Sequence, residues 1–545
     1  MKVANAIAEI LKREGVELVI GYPVHPLTEA AAEIDIRPII VRQERVGLHM
    51  ADAYSRLSSG KRIGVFFMQH GPGAENSFGG VAQAYADSVP ILVLPAGYPR
   101  RLSSVPPNFS SALNYRHVTK WAEQVSMGRA LPEVMRRAFA QLRNGRPRPV
   151  LVEVPVDVFA EDVPEPLRYE PSFATRSAPD PDAVASVAQV LRDARRPVIY
   201  AGQGVHYAEA WPELRQLAER LQVPVTTSLQ GKSAFPEDHP LSLGSSGRSM
   251  PRTVQRFLED ADVIFGIGCS FALTAYGIRM PRGKRMIHAT LDPGDLNKDV
   301  EVQHALVGDA QLTLRALLAE LDEEPNEHAR ERTRTLPQAI AKLKAEWLAE
   351  WAPKLDSDAV PLSPYRVIRD LIRSVDIRKT IITHDAGSPR DQLAPFWPSV
   401  TPLSYIGWGK TTLLGTGLGY AMGAKLAHPD RLCINVWGDA AIGFTGMDFE
   451  TAVRERIPIL SILFNNFSMA IELPVMPTST EKYRSTDISG DYAAMARALG
   501  GYGERVSEPS QIVPAIERGI EKTRGGTPAL LEFITEKEFH YPLPG

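Results

Sequence analysis

The sequence predicts an α/β protein made of three doubly wound, parallel-sheet domains. Short apolar runs alternate with helical patterns along the whole chain, and two polar stretches divide this alternation into three blocks. Strands of a parallel sheet read as continuous apolar runs because helices cover both of its faces. The length of 545 residues agrees with this division, since one domain usually holds roughly 100–200 residues.

The three blocks are predicted as domains at residues 1–165, 182–325 and 360–545. The predicted strands of the first block are ELVIGYP, RPIIVRQ, RIGVFFMQ, PILVLPAG and PVLVEVPV. Those of the second are RPVIYAGQG, VPVTTS, ADVIFGIG and RMIHATLD, and those of the third are TIITHDAG, LCINVWGD, PILSILFNN and PALLEFIT. A Pro-rich polar stretch separates the first two blocks, and a charged helical pattern connects the second to the third.

Composition excludes several classes of protein. Lys and Arg number 61 against 64 Asp and Glu, so the net charge of -3 gives no electrostatic footprint for nucleic acid or an anionic membrane. The two cysteines, Cys269 and Cys433, cannot form a disulfide framework and favour a reducing compartment. The N-terminus reads as an amphipathic helix rather than a signal peptide, and no apolar run is long enough for a membrane span. We therefore expect a cytoplasmic protein without nucleic-acid or membrane partners.

Glycines follow two strands of the second block, at Gly202-Gln203-Gly204 and Gly266-Ile267-Gly268. Neither group completes GxGxxG, and no acidic residue follows at the distance that reads a ribose. The pattern favours tight strand-to-helix turns over an NAD site. An NAD-binding protein is kept only as a rival interpretation.

The third block carries the strongest chemical signal. One strand ends at Gly438-Asp439, and the strand after the next helix ends at Asn465-Asn466. Parallel strands joined by one crossover open on the same sheet edge, so the Asp439 carboxylate and the Asn466 amide oxygen are expected to meet. Hard oxygen ligands with open positions for phosphate oxygens suit Mg²⁺, and the GDAAIG turn would direct backbone N–H groups towards a phosphate. The alternative is an ordinary turn Asp beside a loop-capping Asn pair.

The GD and NN pairs at this spacing resemble the diphosphate motif of thiamine-diphosphate (ThDP) enzymes. QERVGLHMADAYSR resembles the segment that carries the family's activating Glu, and HGPGAENSFGGVAQAYADSVPILVL resembles the adjacent loop, helix and strand. SLQGKSAFPEDHPLSLG resembles an acetolactate synthase middle domain. The chain is thus similar to the acetolactate synthase and pyruvate decarboxylase superfamily over nearly its whole length. This resemblance implies a pyrimidine-binding domain, a middle domain and a diphosphate-binding domain, in that order.

The resemblance assigns cofactor roles residue by residue. ThDP needs a carboxyl group on its pyrimidine ring nitrogen, and Glu44, at the start of a helix after a strand, matches that position; the alternative is a Glu favoured by the helix dipole. The implied metal ligands are Asp439, Asn466 and the backbone carbonyl of Ser468. The other implied cofactor contacts are Thr412, Leu414 as the apolar wedge, Gly438, Ala440, Ala441, Gly387 and Ser388.

Three further residues are candidates for handling protons near the substrate. Glu472 lies six residues after Asn466, where decarboxylases of this type place an active-site Glu. His25 and His70 follow the first and third predicted strands of the first block, and histidine titrates near neutral pH. The alternatives are a surface Glu and satisfied loop histidines.

Three departures from the family pattern are visible. Ala440 replaces a glycine of the diphosphate motif, the Gln-Trp segment after the Asn pair is missing, and so is the Arg-Phe-Asp-Asp stretch of flavin-binding middle domains. The last two argue against an acetolactate synthase that binds FAD.

The resemblance implies an enzyme that uses ThDP and Mg²⁺ to cleave or form a C–C bond next to a carbonyl. A 2-oxo acid decarboxylase or carboligase is the leading prediction, and a 2-hydroxyacyl-CoA lyase is the alternative. A catalytically silent ThDP-binding subunit is the rival of another class. The expected partners are a small-molecule substrate and a second copy of the chain, in a homodimer or homotetramer.

Overall fold

The structure is a computed structural model that describes residues 1–274, 277–321, 324 and 326–543. Within this part of the chain the strands form three six-stranded sheets, and their pairings are parallel. The predicted fold class is confirmed. The predicted ends of the second and third domains, at 325 and 545, lie outside the described residues.

The first sheet has the strand order β2-β1-β3-β4-β6-β5. Its strands are β1 Leu18–Gly21, β2 Arg37–Ile40, β3 Gly64–Met68, β4 Ile91–Gly97, β5 Trp121–Gln124 and β6 Val150–Pro155. Its helices are α1 Val3–Arg13, α2 Leu27–Ala32, α3 Glu44–Arg56, α4 Pro72–Ala86, α5 Ser111–Asn114 and α6 Leu131–Arg143. The central strands β3, β4 and β6 are buried along their whole length, as expected for a sheet covered on both faces.

The second sheet has the order β12-β11-β10-β7-β8-β9. Its strands are β7 Pro197–Ala201, β8 Val225–Thr227, β9 Ser242–Ser245, β10 Val263–Ile267, β11 Arg285–Thr290 and β12 His304–Val307. The helices of this region are α7 Pro181–Asp193, α8 Gly204–Tyr207, α9 Trp211–Leu221, α10 Arg252–Asp260, α11 Ala310–Glu320 and the 29-residue α12 Glu327–Leu355, which leads to the third sheet.

Glycines let the turns after β7 and β10 approach each other closely. A Cβ atom on Gly204 would lie 2.7 Å from the Cα of Gly268, and Gly268 itself has a φ of +63°. These glycines are therefore required by turn-to-turn packing.

The third sheet has the order β14-β13-β15-β16-β18-β17. Its strands are β13 Thr380–His384, β14 Tyr405–Ile406, β15 Leu432–Gly438, β16 Leu460–Asn465, β17 Tyr502–Val506 and β18 Ala529–Ile534. Its helices are α13 Pro364–Ser374, α14 Ser388–Leu393, α15 Thr416–Ala427, α16 Asp439–Thr445, α17 Phe449–Arg454, α18 Pro477–Tyr483, α19 Tyr492–Ala498 and α20 Ile512–Arg524.

Helices α3 and α15 join the first and third sheets into one hydrophobic core. Gly419 and Gly423 of α15 face α3, where a Cβ on Gly419 would lie 2.6 Å from the Cβ of His49, and a Cβ on Gly423 would overlap the backbone oxygen of Met50. Both α3 and α15 begin in segments predicted to touch the cofactor. Their close packing therefore fixes these segments relative to each other.

A buried polar cluster lies beside this helix pair. Arg56 donates to both carboxylate oxygens of Asp52 at 2.8 and 3.1 Å, to the backbone oxygen of Gly407 and to the hydroxyl of Tyr420. Asp87 lies 3.4 Å from the same guanidinium. A buried charge is tolerated only when paired and hydrogen-bonded, so Arg56 depends on partners from two sheets.

Candidate functional site

A cavity of about 120 Å³ lies at the carboxyl ends of β13, β15 and β16. It collects most of the residues predicted to hold the cofactor or its metal, together with the proton-handling candidate Glu472: Gly387, Ser388, Leu414, Gly438, Asp439, Ala440, Ala441, Asn466 and Ser468. Thr412, Glu44, His25 and His70 do not line it. The described residues that do line it all come from residue 364 onwards, that is, from the third sheet and its connections.

Asp439 is held in place by backbone N–H groups. Its Oδ2 atom accepts from the N–H groups of Asn466 and Ser468, both at 3.1 Å, and its Oδ1 atom accepts from Ala440 at 2.8 Å. Burial raises the pKa of Asp439 to about 6, against the opposing effect of these bonds. The carboxylate is thus fixed at the end of β15 and pre-oriented towards the Asn466 loop.

Two buried side-chain oxygens at this point lack a partner within the described structure. They are Oδ1 of Asn466 and Oγ of Ser468, and both residues line the cavity next to Asp439. A buried acceptor without a hydrogen bond is unfavourable unless something else satisfies it. An oxygen set of this kind fits Mg²⁺ together with phosphate oxygens. No group of three or more His, Cys, Asp and Glu residues that could hold a metal ion by itself occurs in the described ranges.

The backbone conformation of the turns around the cavity is compatible with the residues at those positions. Ala440 lies in the first turn of α16, and its φ is not positive, so the glycine expected at this position is not required. Gly387 has a φ of +84°, which favours glycine just before α14. The hydroxyl of the next residue, Ser388, lies 2.9 Å from the hydroxyl of Tyr541, so a residue near the C-terminus contacts one that lines the cavity.

Asp385 is a site residue that sequence reasoning missed. Its carboxylate is fully buried and accepts from the N–H groups of Gly415, Gly417 and Ala386. Gly415 directly follows Leu414 and Gly417 lies two residues further on, so Asp385 holds the loop that presents Leu414 to the cavity. Burial raises the pKa of Asp385 to about 6. Its position immediately after β13 was the available signal, because polar residues at strand ends lie on the functional edge of such sheets.

Glu44 is buried at the first position of α3, with 6% of its surface exposed. Its Oε2 atom accepts from the side-chain amide of Asn76 at 3.3 Å. Gly73 of α4 lies against its other oxygen, since an added Cβ there would be 3.4 Å from Oε1. The predicted pair of segments, around Glu44 and around HGPGAEN, therefore meets as expected.

The three proton-handling candidates lie in different surroundings. Glu472 is exposed and lines the cavity with Asp439. His70 is partly buried, with its ring 4.7 Å from that of Tyr98. His25 packs against Phe67 and Phe159, and burial lowers its pKa to about 3, so its ring is neutral and faces the protein core. This placement argues against proton transfer by His25, a role that stays a prediction.

Three stretches of the chain match thiamine pyrophosphate enzyme domains, where pyrophosphate is another word for diphosphate. The N-terminal TPP binding domain matches residues 1–127, the central domain 184–317 and the C-terminal TPP binding domain 385–533. Each match covers most of the strands of one of the three sheets. No helix in the described part of the chain has the length and apolar character that crossing a bilayer demands.

Similar proteins cover the whole chain. A probable acetolactate synthase large subunit of Methanocaldococcus jannaschii is 31% identical, over 100% of this chain and 93% of the relative. The isozyme 3 large subunit of Escherichia coli is 28% identical, over 99% and 96%, and the mitochondrial catalytic subunit of Saccharomyces cerevisiae is 29% identical, over 97% and 80%. The protein is a ThDP-dependent enzyme of the decarboxylase or carboligase type that acts on a small molecule. With its three domains and these relatives, the chain belongs to the acetolactate synthase-like family of thiamine-diphosphate-dependent enzymes.

Proposed function

We propose that the protein is a Mg²⁺-dependent ThDP enzyme that decarboxylates a 2-oxo acid or joins it to a second carbonyl compound. The observation that supports a metal ion at this site is the Oδ1 atom of Asn466, which is buried beside the fixed carboxylate of Asp439 and has no hydrogen-bond partner in the described structure. These two oxygens, with the carbonyl of Ser468, would hold Mg²⁺ against the diphosphate. When bound, ThDP supplies a thiazolium ring that accepts the electrons released by C–C cleavage.

The remaining residues of the site are assigned by position. Leu414, held by Asp385, is proposed to support the bent cofactor, while the backbone of Thr412 receives its pyrimidine amine. Glu44 would share a proton with the pyrimidine ring nitrogen, and Glu472, at the open side of the cavity, would exchange protons with the substrate carbon. His70 is retained as a second proton-handling candidate.

Two of the three arginines that the sequence offers for an acyl-CoA are engaged in ion pairs. A long anionic CoA chain needs a basic channel, and the sequence offers Arg100-Arg101 and Arg390 for it. Arg100 pairs with Asp157 and Glu161, and Arg390 pairs with the adjacent Asp391. Engaged in this way, these guanidinium groups give no support to a 2-hydroxyacyl-CoA lyase.

We further propose that two copies of the chain complete each active site. In support, Glu44 of the first sheet does not line the diphosphate-side cavity, which is lined from the third sheet and its connections. A homodimer would bring Glu44 of one copy to the cavity of the other, and a homotetramer would contain two such dimers. The free cysteines Cys269 and Cys433 support the predicted cytoplasmic location, and the missing Arg-Phe-Asp-Asp stretch supports activity without FAD.

Two measurements test the proposal without knowledge of the substrate. Asp439→Ala should abolish ThDP binding in calorimetry with Mg²⁺, while Asp430→Ala, on an exposed loop, should leave it unchanged. Glu44→Gln should keep ThDP affinity but slow H/D exchange at C2 of the bound cofactor by ~10²–10⁴-fold, the range of one acid–base role.

A screen of 2-oxo acids and 2-hydroxyacyl-CoAs for aldehyde release or condensation products then identifies the reaction. Unchanged ThDP affinity in Asp439→Ala would remove the metal site from the proposal. C2 exchange in Glu44→Gln as fast as in the unmodified protein would show that another residue activates the cofactor.

A further inference from the structure

Gln83 is a fully buried residue of α4 that reaches from the first sheet to the loop of residues 411–415, called the wedge loop here because it carries Leu414. Its Oε1 atom accepts from the backbone N–H of Leu413 at 3.4 Å. Its Nε2 atom donates to the hydroxyls of Thr416 and Tyr420, at 3.4 and 3.1 Å. The acceptor and the donor group of this amide are therefore both used, although Gln83 does not line the diphosphate-side cavity.

The partners of Gln83 require an amide at this position. The hydroxyl of Thr416 donates its own proton to the carbonyl of Leu413 at 2.8 Å, and the hydroxyl of Tyr420 donates to Asp52 at 3.0 Å. Both hydroxyls can then only accept from position 83, whereas the N–H of Leu413 can only donate to it. A Gln side chain accepts once and donates twice, which neither a carboxylate nor an aliphatic side chain can do.

Leu413 depends on this contact more than the other partners do. Among the described residues, Gln83 is the one acceptor for its N–H. Its side chain packs on the same helix, since a Cβ added to Gly79, one turn before Gln83, would lie 3.4 Å from its Cδ1 atom. Tyr420 would keep two partners in the buried polar cluster without Gln83. Loss of the amide should therefore act mainly on the wedge loop.

The wedge loop is held from two sheets. Asp385 of the third sheet accepts two N–H groups that follow Leu414, at 2.9 and 2.8 Å, and Gln83 of the first sheet accepts the one that precedes it, at 3.4 Å. A distance of 3.4 Å is long for a hydrogen bond, so Gln83 should restrain the loop less tightly than Asp385. Leu414 thus lies between two anchors of unequal strength.

We propose that Gln83 is a positioning residue of the active site, which holds the backbone of Leu413 and thereby sets the position of Leu414 under the cofactor. This inference rests on the proposed function, in which Leu414 supports the bent ThDP. The first turns of α4 also contact Glu44. One helix of the first sheet therefore meets both the carboxyl proposed to activate the cofactor and the loop proposed to bend it.

Gln83→Leu removes the three hydrogen bonds and keeps a side chain of similar size. The matched control is Thr253→Val, which also removes one fully buried hydrogen bond, from the Thr253 hydroxyl to the carbonyl of Leu243 at 2.7 Å, beside the second sheet. Gln83→Glu is the conservative variant. Burial favours its neutral form, which keeps an acceptor for Leu413 and one O–H for Tyr420.

Backbone hydrogen exchange of the wedge loop, measured without ThDP, reports on this restraint directly. The amide of Leu413 should exchange roughly tenfold faster in Gln83→Leu than in the unmodified protein, as expected for the loss of one hydrogen bond. In Gln83→Glu the rate should return most of the way to that of the unmodified protein. Thr253→Val should leave exchange in the wedge loop unchanged.

H/D exchange at C2 of the bound cofactor separates positioning from stability. At saturating ThDP and Mg²⁺, Gln83→Leu should slow this exchange roughly tenfold or more, because a small misplacement of the reacting groups is costly in rate. A residue that only stabilises the fold would not change the rate in folded, saturated protein. Thr253→Val should therefore exchange as fast as the unmodified protein.

Equal exchange of the Leu413 amide in Gln83→Leu and in the unmodified protein would overturn the proposal. Faster loop exchange with an unchanged C2 rate would also overturn it, because Gln83 would then be structural only. A loop that exchanges as fast in Gln83→Glu as in Gln83→Leu would exclude the acceptor role. Absence of ThDP binding in the unmodified protein would instead overturn the proposed function, while loop exchange would still decide whether Gln83 holds Leu413.

Discussion

The Oδ1 atom of Asp385 accepts the backbone N–H of Gly415 at 2.9 Å, across the loop that carries Leu414 to the cofactor cavity. A second bond, from Gly417 to Oδ2 at 2.8 Å, closes the other side of the same turn. One buried carboxylate at the end of β13 therefore fixes the first turn of α15. Leu414, which we propose as the wedge residue, owes its position to a side chain that does not line the cavity itself.

Asp385→Asn should weaken ThDP binding by roughly 10- to 100-fold, because an amide has one oxygen for three N–H donors and leaves at least one unsatisfied. Calorimetry of ThDP binding with Mg²⁺ measures the effect. Asp370→Asn is the matched control, since Asp370 is also buried but pairs with arginines on α13. Equal losses of affinity in both variants would indicate general destabilisation instead of a positioning role.

The proposed sharing of each active site between two chains predicts complementation between two inactive variants. Glu44→Gln and Asp439→Ala should each be inactive alone, but a mixed dimer contains one site in which both residues are intact. Co-refolding equal amounts should recover about a quarter of the original activity if dimers assemble at random. No recovery in a sample shown to contain mixed dimers would place Glu44 and Asp439 of one site on the same chain.

Gly423→Ala should destabilise the protein by about 1–3 kcal/mol, because the added methyl group would overlap the backbone oxygen of Met50 in α3. Chemical denaturation gives the free energy of unfolding. Gly525→Ala serves as the control, since its nearest neighbour would be at an ordinary 3.4 Å and its φ is -76°. A Gly423→Ala variant as stable as the control would contradict the close packing of α3 and α15.

Val24 is a β-branched residue in the left-handed region, with a φ of +71° and 73% of its surface exposed. Val24→Gly should raise the free energy of unfolding by about 1 kcal/mol, because relief of this strain outweighs the added flexibility of the unfolded chain. Val105→Gly, at a partly exposed loop position without a positive φ, should lower it. A lower melting temperature for Val24→Gly would show that the valine side chain contributes packing that exceeds the strain.

Asp448 gives a pH dependence of stability with a defined sign. Burial raises its pKa from 3.8 to about 6, so the folded protein binds a proton here more tightly than the unfolded chain does. The stabilising contribution of this carboxyl is therefore present at low pH and is lost as the pH rises from about 4 to about 6, by on the order of 2 kcal/mol.

Asp448→Asn removes this titration and keeps an oxygen for the N–H of Arg42. The free energy of unfolding of the unmodified protein, relative to the variant, should then fall across that pH range. A constant difference between the two proteins would show that Asp448 does not titrate with a raised pKa.

The strands that sequence reasoning missed share one property. They are β5, β9, β12, β14 and β17, and each forms an edge of its sheet. Edge strands are short and partly exposed, as β5 and β12 are, so they lack the continuous apolar run that marks a buried strand. The central strands were predicted because burial on both faces leaves that run in the sequence.

The site residues also divide into those that a sequence pattern predicts and those that depend on tertiary contacts. Asp439 and Asn466 were predicted to meet because they follow neighbouring strands, and the backbone N–H of Asn466 donates to the Asp439 carboxylate. That the Asn466 amide oxygen and this carboxylate share a metal stays a prediction. Asp385 was missed because its role is to accept backbone N–H groups, so its only signal in the sequence was its position after β13. The core packing of His25 also depends on tertiary neighbours that no local pattern specifies.

The partners of the buried Arg56 determine whether the first block of this enzyme can fold as a separate fragment. A fragment that ends before the second block would keep Asp52 but lose Gly407 and Tyr420, two of the groups that satisfy the guanidinium. It would also expose the face of α3 that packs against α15. Recombinant expression of the first block alone should therefore yield aggregates, and limited proteolysis of the intact enzyme should not release it as a stable core.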